Sequence, residues 1–433
     1  MSEAKTPMEA MTAPTPGRVF VTGAFDMHNY GNLLFPLIAA YRLAPHGVEV
    51  AAVSPTGRRP DIADAMGCCD IDAMFAAEAA PRAILIGGGN TFHDQPMAFM
   101  EDYGRGLAKW ASTGLWLGAT AAAAVQDVPA IWNAPGIPVP IANPRRRAMV
   151  AAALRAADYV SVRDTGSART LAPPTDINVP IVPDTVADLA RMWPAATLVA
   201  PFRDLLARKG ADPAARHLAF HVRARALGDV PIAQLAAWLD GFAAGEGIVP
   251  ILIAIGPGLG DCETVRELSH AMQGPHVVLD DPVSLREIAA AIAHARLYVG
   301  ASLHAYITSA AYGVPAVLVA RPARRKFGGF LAHVERPQDL AREWSDAFAL
   351  GSERLAAPRP RMPDTVPRAL DAHWRAVDAA LADPARRRGE RGDFLRTYLR
   401  FALTANGPAW GLQPTLTHAG RAALAAAQTT ATS

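Results

Sequence analysis

Residues 281–330 read DPVSLREIAAAIAHARLYVGASLHAYITSAAYGVPAVLVARPARRKFGGF, and local physical chemistry divides the run into helix, strand, tight turn, helix and strand. Ser284 with Glu287 three residues later forms a capping box, and Leu285, Ile288 and Ile292 recur on one helical face. Residues 297–299 make a short apolar strand that enters the turn Gly300-Ala301-Ser302. Ser302 is placed to N-cap a second helix with His304 in its first turn, and Gly313 stands where that helix must end. Val314-Pro315 opens a further apolar strand, 316–320. The product is a histidine at a helix N-terminus just beyond a parallel strand, where open α/β sheets receive anionic ligands.

Working outward, the same alternation fills most of the chain. RVFVTG (18–23) is a first strand, followed by the loop Ala24–Asn32 with Asn29-Tyr30-Gly31-Asn32 at its end and a helical pattern over 33–43. Strands follow at 48–53 and 83–86, the latter running into Gly87-Gly88-Gly89-Asn90-Thr91-Phe92-His93-Asp94. Three glycines after an apolar strand let backbone and ligand approach closely, yet the segment has neither P-loop nor dinucleotide spacing. Residues 114–117 and 131–136 continue the pattern, and YVSVR (159–163) is a strand whose Arg163 and Asp164 read as a salt-linked, N-capped end. Residues 190–216 are linker plus an inserted helix. A second α/β half begins with a strand at 218–222 ending in Arg223, with Arg225 on the same face if extended. The strand 248–255 leads into Gly256-Pro257-Gly258-Leu259-Gly260-Asp261, a poor nucleotide loop because proline removes one of its amides. Residues 353–366 are a linker, and amphipathic helices are expected at 369–381 and 394–403. Strand–helix alternation throughout predicts α/β architecture: two doubly wound, Rossmann-like domains. The expected division is a disordered tail at 1–17, an N-terminal domain at 18–195, a C-terminal domain at 196–335, and linker plus helices at 336–433.

These motifs resemble those of bacterial polysaccharide pyruvyl transferases over residues 18–335. Family members carry strand–S/G–R–L–H–A, a helix, G–V–P and a strand followed by a basic residue; here the positions are Gly300-Ala301-Ser302-Leu303-His304-Ala305, Gly313-Val314-Pro315 and Lys326. The family's N-x-G-D loop is Asn29-Tyr30-Gly31-Asn32, its G-G-G loop is Gly87-Gly88-Gly89 with Asn90, and its S-V-R-D segment and later aspartate are matched at Arg163-Asp164 and Asp184. Ser302 stands where the family usually has arginine, and Asn32 where it has aspartate.

The resemblance implies a GT-B-type pair of domains, with the acceptor on the N-terminal half and a phosphoenolpyruvate donor on the C-terminal half. It assigns the catalytic roles to His304, as acid toward the enol carbon, and to Arg223, as ligand of the donor anion. Asn29, Gly31, Asn32, Gly87, Gly88, Gly89, Asn90, Ser302, Leu303 and Lys326 are the implied substrate-binding set. The acceptor is a saccharide, and a lipid-linked one would bring peripheral contact with a membrane. With arginine missing at 302, the basic residues Arg321, Arg324, Arg325 and Lys326 are expected to compensate from the side. Two other readings stay open: a nucleotide-sugar glycosyltransferase on this scaffold, and a binding protein whose donor site has decayed. Against the first, residues 300–320 contain no acidic side chain to hold a ribose.

Composition narrows the classes. A net charge of +2 gives no bulk reason to expect nucleic acid. Of the 42 basic residues only Lys5, Lys109, Lys209 and Lys326 are lysine. Cys68, Cys69 and Cys262 show neither disulfide framework nor metal spacing, which fits a reducing compartment, and the pyruvyl transfer that the resemblance implies requires no metal or organic cofactor. The apolar run 115–125 is too short to span a bilayer, and no charged-then-apolar leader opens the chain. The expectation is a cytoplasmic protein, with the Arg386-Arg387-Arg388 run a solvated charge cluster.

Overall fold

The computed structural model describes residues 17–76, 81–97 and 103–412. Most of the expected amino-terminal tail, and the alanine-threonine tail from 413, lie outside the described residues. Among those described, strands assemble into two parallel sheets. In the first, β1 (Gly17–Thr22), β2 (Val48–Val53), β3 (Cys68–Cys69), β4 (Ala83–Ile86) and β5 (Ala130–Trp132) take the order β3-β2-β1-β4-β5. In the second, β6 (His217–His221), β7 (Val249–Ile253), β8 (Val277–Leu279), β9 (Leu297–Gly300), β10 (Ala316–Val319) and β11 (Leu340–Ala341) take the order β11-β10-β9-β6-β7-β8. Every paired neighbour runs parallel. Val19, Val21, Ile84, Leu85, Ile251, Leu252, Val299 and Val317 are 0% exposed, because helices cover both faces, which is why the strands read as unbroken apolar runs.

Each order reverses once, between β1 and β4 in the first sheet and between β6 and β9 in the second. Such switch points open crevices at the carboxyl ends of the strands. The two crevices face each other across a tight seam. The Tyr30 N–H, first in the helix Tyr30–Leu43, donates to the Ile255 carbonyl of the second unit at 2.9 Å. Tyr30 Oη lies 2.9 Å from Thr308 Oγ1. Asp64 of the first unit accepts the Leu285 and Arg286 N–H groups at 2.6 and 3.0 Å, so a carboxylate from one unit caps the helix Leu285–Ala293 of the other.

The structure departs from the sequence reading in places. Residues Gly114–Gly118 are a π-helical turn running into the helix Ala119–Val125, rather than a further member of the strand series; a short buried apolar run has no periodicity that separates the two states. YVSVR is extended but pairs only through single bridges, Ile131 with Tyr159 and Val162 with Ile181. The second sheet gains β11 and the covering helix Trp344–Ala356 from residues expected to be linker; a two-residue strand leaves no alternation to read.

The helices Thr365–Ala382 and Arg388–Asn406 return to the first unit. Arg391, 1% exposed, donates to Asp127 and Asp158 and to the Pro384 carbonyl. His373, also 1% exposed, bonds Asn133 Oδ1 at 2.9 Å through Nε2 and approaches Tyr159 Oη at 3.1 Å through Nδ1. Arg388 pairs with Asp127 of the first unit, so one member of the basic run serves this docking, while Arg387 pairs locally with Glu390. Among the described residues no helix is long and apolar enough to cross a membrane.

Candidate active site

The segment that opened the reading folds as its local chemistry dictates. Ser284 Oγ accepts the Glu287 N–H at 3.0 Å, and Ser302 Oγ accepts the Ala305 N–H at 3.4 Å at the head of the helix Leu303–Ala311. Gly313 takes the left-handed φ of +64° that ends this helix. Ser302 is further fixed by Tyr298, whose hydroxyl lies 3.2 Å from both the backbone N and O of Ser302.

His304 therefore projects from the second unit into the seam, where Gly31 of the first unit meets it. A Cβ at Gly31 would fall 1.8 Å from His304 Nδ1, so only glycine permits this contact. Phe35 meets the imidazole edge-on at 5.6 Å between ring centres. His304 Nε2 is buried without a hydrogen-bond partner and lies 3.7 Å from Asp184 Oδ2. Burial pushes the imidazole pKa down; Asp184 pulls it up, Lys326 and Arg163 push it down again, and the net shift is downward. Burial alone would raise Asp184, but His304, Arg163 and the Val186 N–H outweigh it and hold that carboxyl at about 2. In the ligand-free site His304 is thus a neutral base beside a firmly ionised carboxylate.

Around this pair lies a group of cations. Arg163, 4% exposed, reaches Asp184 at 3.3 Å, Asp164 at 3.6 Å and Asn90 Oδ1. Arg223, after β6, reaches only Asp261, at 3.4 Å. Arg225, Arg324 and Lys326 have no carboxylate in salt-bridge contact among the described residues. Lys326 lies well below its ordinary range, through burial and then the charges of Arg163, Arg324, Arg223 and Arg225. Arg225 is pulled down to about 10 by burial, Arg223 and Arg324, and Arg324 is lowered by burial and Arg223. A cavity of about 210 Å³ opens among Asn90, Arg163, Asp164, Arg324, Arg325 and Lys326, four cations against one carboxylate. Cations that lower one another beside a cavity give it a positive potential able to attract an anion.

The expected compensation for Ser302 narrows accordingly. Arg321 pairs with Glu343, away from the cavity, and Arg325 lines the cavity with its Nη2 given to the Ile137 and Pro138 carbonyls; Arg324 and Lys326 line it without such partners among the described residues. Leu303 is 3% exposed within the apolar core and offers the cleft no polar group. On the facing unit, Gly87, Gly88 and Gly89 take φ of +111°, +127° and +72°, and a Cβ at Gly88 would strike Phe35 at 2.6 Å. Asn32 Nδ2 is tied to the Ala24 carbonyl at 3.2 Å, with its Oδ1 beside Gly89. Asn29 heads its helix with no side-chain cap and faces Gly256 of the second unit. His93 Nδ1 lies 3.1 Å from the Gln95 carbonyl, and Asp94 Oδ2 pairs with Arg146 at 2.8 Å. Arg163, read from sequence as part of a salt-linked strand end, and Asp184, matched to a family aspartate, lie close to Lys326 and His304 respectively. Among the described residues no three His, Cys, Asp or Glu side chains are grouped to hold a metal.

Two parallel-sheet α/β domains meeting at their switch points, with a helical return at the carboxyl end, define a GT-B-type protein, and the cleft is cationic. The chain belongs to the polysaccharide pyruvyl transferase family, whose pattern matches residues 29–322. Among solved structures, the UDP-GlcNAc 2-epimerase of Methanocaldococcus jannaschii is similar with a TM-score of 0.55 at 11% identity, covering 84% of this chain and 98% of its own. The S. aureus MnaA–UDP structure gives 0.51 at 10% identity, covering 84% and 97%. These likenesses establish the fold alone. Comparison with curated proteins gave no match.

Proposed function

We propose that this protein transfers the pyruvyl group of phosphoenolpyruvate to paired hydroxyls of a saccharide, free or lipid-linked, as a cyclic ketal. The observation that supports this most is the cation group around Lys326, in which, among the described residues, Arg163 and Arg223 alone have a carboxylate in salt-bridge contact. Phosphoenolpyruvate carries two anionic ends, a phosphate and a carboxylate. Lys326 feels Arg163 on one hand and Arg223, Arg225 and Arg324 on the other, which suits a ligand with charge at both ends. The N-terminus of the helix Leu303–Ala311 adds positive potential.

The chemistry then follows from charge. Burial, and after it Lys326 and Arg163, keep His304 neutral; a bound dianion offsets the two cations, so the imidazole takes up a proton as the donor binds. That proton passes to the enol carbon C3, leaving positive character at C2, where a saccharide hydroxyl attacks. The C2–O bond to phosphate breaks and a second hydroxyl closes the ketal. One hydroxyl proton restores His304 and the other leaves on the phosphate, so the proton supplied to C3 is balanced. Asp184, ionised throughout, steadies the imidazolium.

The test is phosphate release from phosphoenolpyruvate by the purified protein with oligosaccharides bearing paired free hydroxyls, together with the mass of the product. Acceptor-dependent release with a matching pyruvyl adduct supports the reading. Release or adduct from a nucleotide sugar instead, with phosphoenolpyruvate inert, would move the assignment to glycosyl transfer.

A further inference from the structure

Beneath Arg223 lies a buried polar group whose expense calls for an explanation. Asp261 and His221 are both 0% exposed. His221 ends β6, and its Nε2 lies 3.0 Å from Asp261 Oδ2. The same oxygen accepts the Gly256 N–H at 2.8 Å and the Arg223 Nη2–H at 3.4 Å. Asp261 Oδ1, His221 Nδ1 and Arg223 Nε are buried without partners. An ionised carboxylate with one oxygen unpaired is a poor way to stabilise a fold, since an apolar side chain of similar size is often as good or better there.

Its placement fits a different use. His221 is lowered chiefly by burial, with Asp261 pulling against it, so the ring is neutral, donates through Nε2–H and leaves Nδ1 as a lone pair. Burial would raise Asp261, but His221, Arg223 and the Gly256 N–H hold it below the usual carboxylate range. The carboxylate therefore keeps its full charge beside Arg223 while His221 fixes its orientation without adding charge. The loop that carries Asp261 also reaches the other unit: Ile255 accepts the Tyr30 N–H at 2.9 Å, and a Cβ on Gly256 would lie 3.7 Å from Asn29 Nδ2. Tyr30 is the neighbour of Gly31, which packs on His304.

We propose that Asp261, oriented by His221, is the positioning residue that aims Arg223 at the donor anion and ties that aim to the docking of the acceptor-side loop 29–31. The proposal rests on the reading of the cleft as a donor-anion site. Asp261 touches no substrate; it acts through Arg223.

Calorimetric titration with phosphoenolpyruvate, and in parallel with inorganic phosphate, tests this on the wild type, Asp261→Asn, Arg223→Ala and the double variant. Asp261→Asn is expected to raise Kd about tenfold, and to do nothing further once Arg223 is alanine, because its effect travels through that side chain. His221→Gln, which retains a donor, is expected to stay near wild type, whereas His221→Phe follows Asp261→Asn. Equal losses from Asp261→Asn with and without Arg223 would overturn the proposal and leave the donor site standing. Absence of binding of either anion by the wild type would overturn the donor reading and this inference with it.

Discussion

Arg391 and Lys326 are both cations held within the protein, and their surroundings are opposite. Arg391 is wrapped by Asp127, Asp158 and the Pro384 carbonyl, and nearby His373 has both ring nitrogens engaged. Lys326 faces arginines, and nearby His304 Nε2 and Arg223 Nε have no hydrogen-bond partner. In the first region carboxylates match the charge of Arg391, although Arg387 Nε and Asn133 Nδ2 there are also buried without a hydrogen-bond partner. In the second, Lys326, Arg225 and Arg324 have no carboxylate in salt-bridge contact among the described residues, and the proposed function supplies their counter-charge from a ligand. Burial alone does not separate a fastener from a binding site; the state of pairing does.

Variants in the two regions are therefore expected to fail differently. His304→Gln keeps size and some hydrogen bonding, and should lower kcat by about 10²–10⁴-fold with little change in thermal stability. A loss of stability matching the loss of rate would make His304 a second fastener. Arg391→Ala should do the reverse. Leaving Asp158 buried and unpaired costs about 3–5 kcal/mol in denaturant unfolding, while donor affinity of the folded fraction stays at the wild-type value. Weakened donor binding in that variant would join the two regions into one.

The paired region also carries a pH signature. His373 has its pKa depressed by burial, and secondarily by Arg42, to about 3 in the folded state from 6.5. Between those values the unfolded chain binds the extra proton. Stability is thus full above pH 6.5 and falls as acid is added down to about 3, by up to about 1.4 kcal/mol per pH unit from this group. Unfolding midpoints measured against pH should show that slope in the wild type and lose it in His373→Gln. The smallest effect is expected at the departure from the family pattern. Ser302→Arg adds one cation to a group already rich in them, and should change phosphoenolpyruvate affinity by less than about threefold; a large gain would show that Arg324 and Lys326 do not compensate.

The sheets were largely legible because parallel strands buried on both faces leave continuous runs of Val, Ile and Leu between turn residues. The capping residues Ser284 and Ser302 and the stop at Gly313 were legible for the same local reason. What failed was either short or buried on all sides: β11 has two residues, and Gly114–Gly118 has no polar face to reveal its period. At the site, sequence singled out His304 and the glycine loops, read Arg163 with Asp164 as a salt-linked strand end, and gave Asp184 no role beyond a family match. In sequence an arginine that locks a strand and one that borders a ligand look alike; only long-range contact with His304 and Lys326 separates them. The same holds for Asp261, whose partners His221 and Arg223 lie far back in the chain.

The central claim is that the unpaired cations await a phosphoenolpyruvate dianion. Titration of phosphoenolpyruvate into the wild type and Lys326→Met, each in buffers of low and high ionisation enthalpy, addresses it most directly. Lys326 and His304 both sit below their ordinary pKa values without ligand, and a bound dianion raises both. Saturable binding is expected, with proton uptake seen as a buffer-dependent enthalpy, and with both much reduced in Lys326→Met. Binding of equal strength in Lys326→Met, or none in the wild type, would contradict the account.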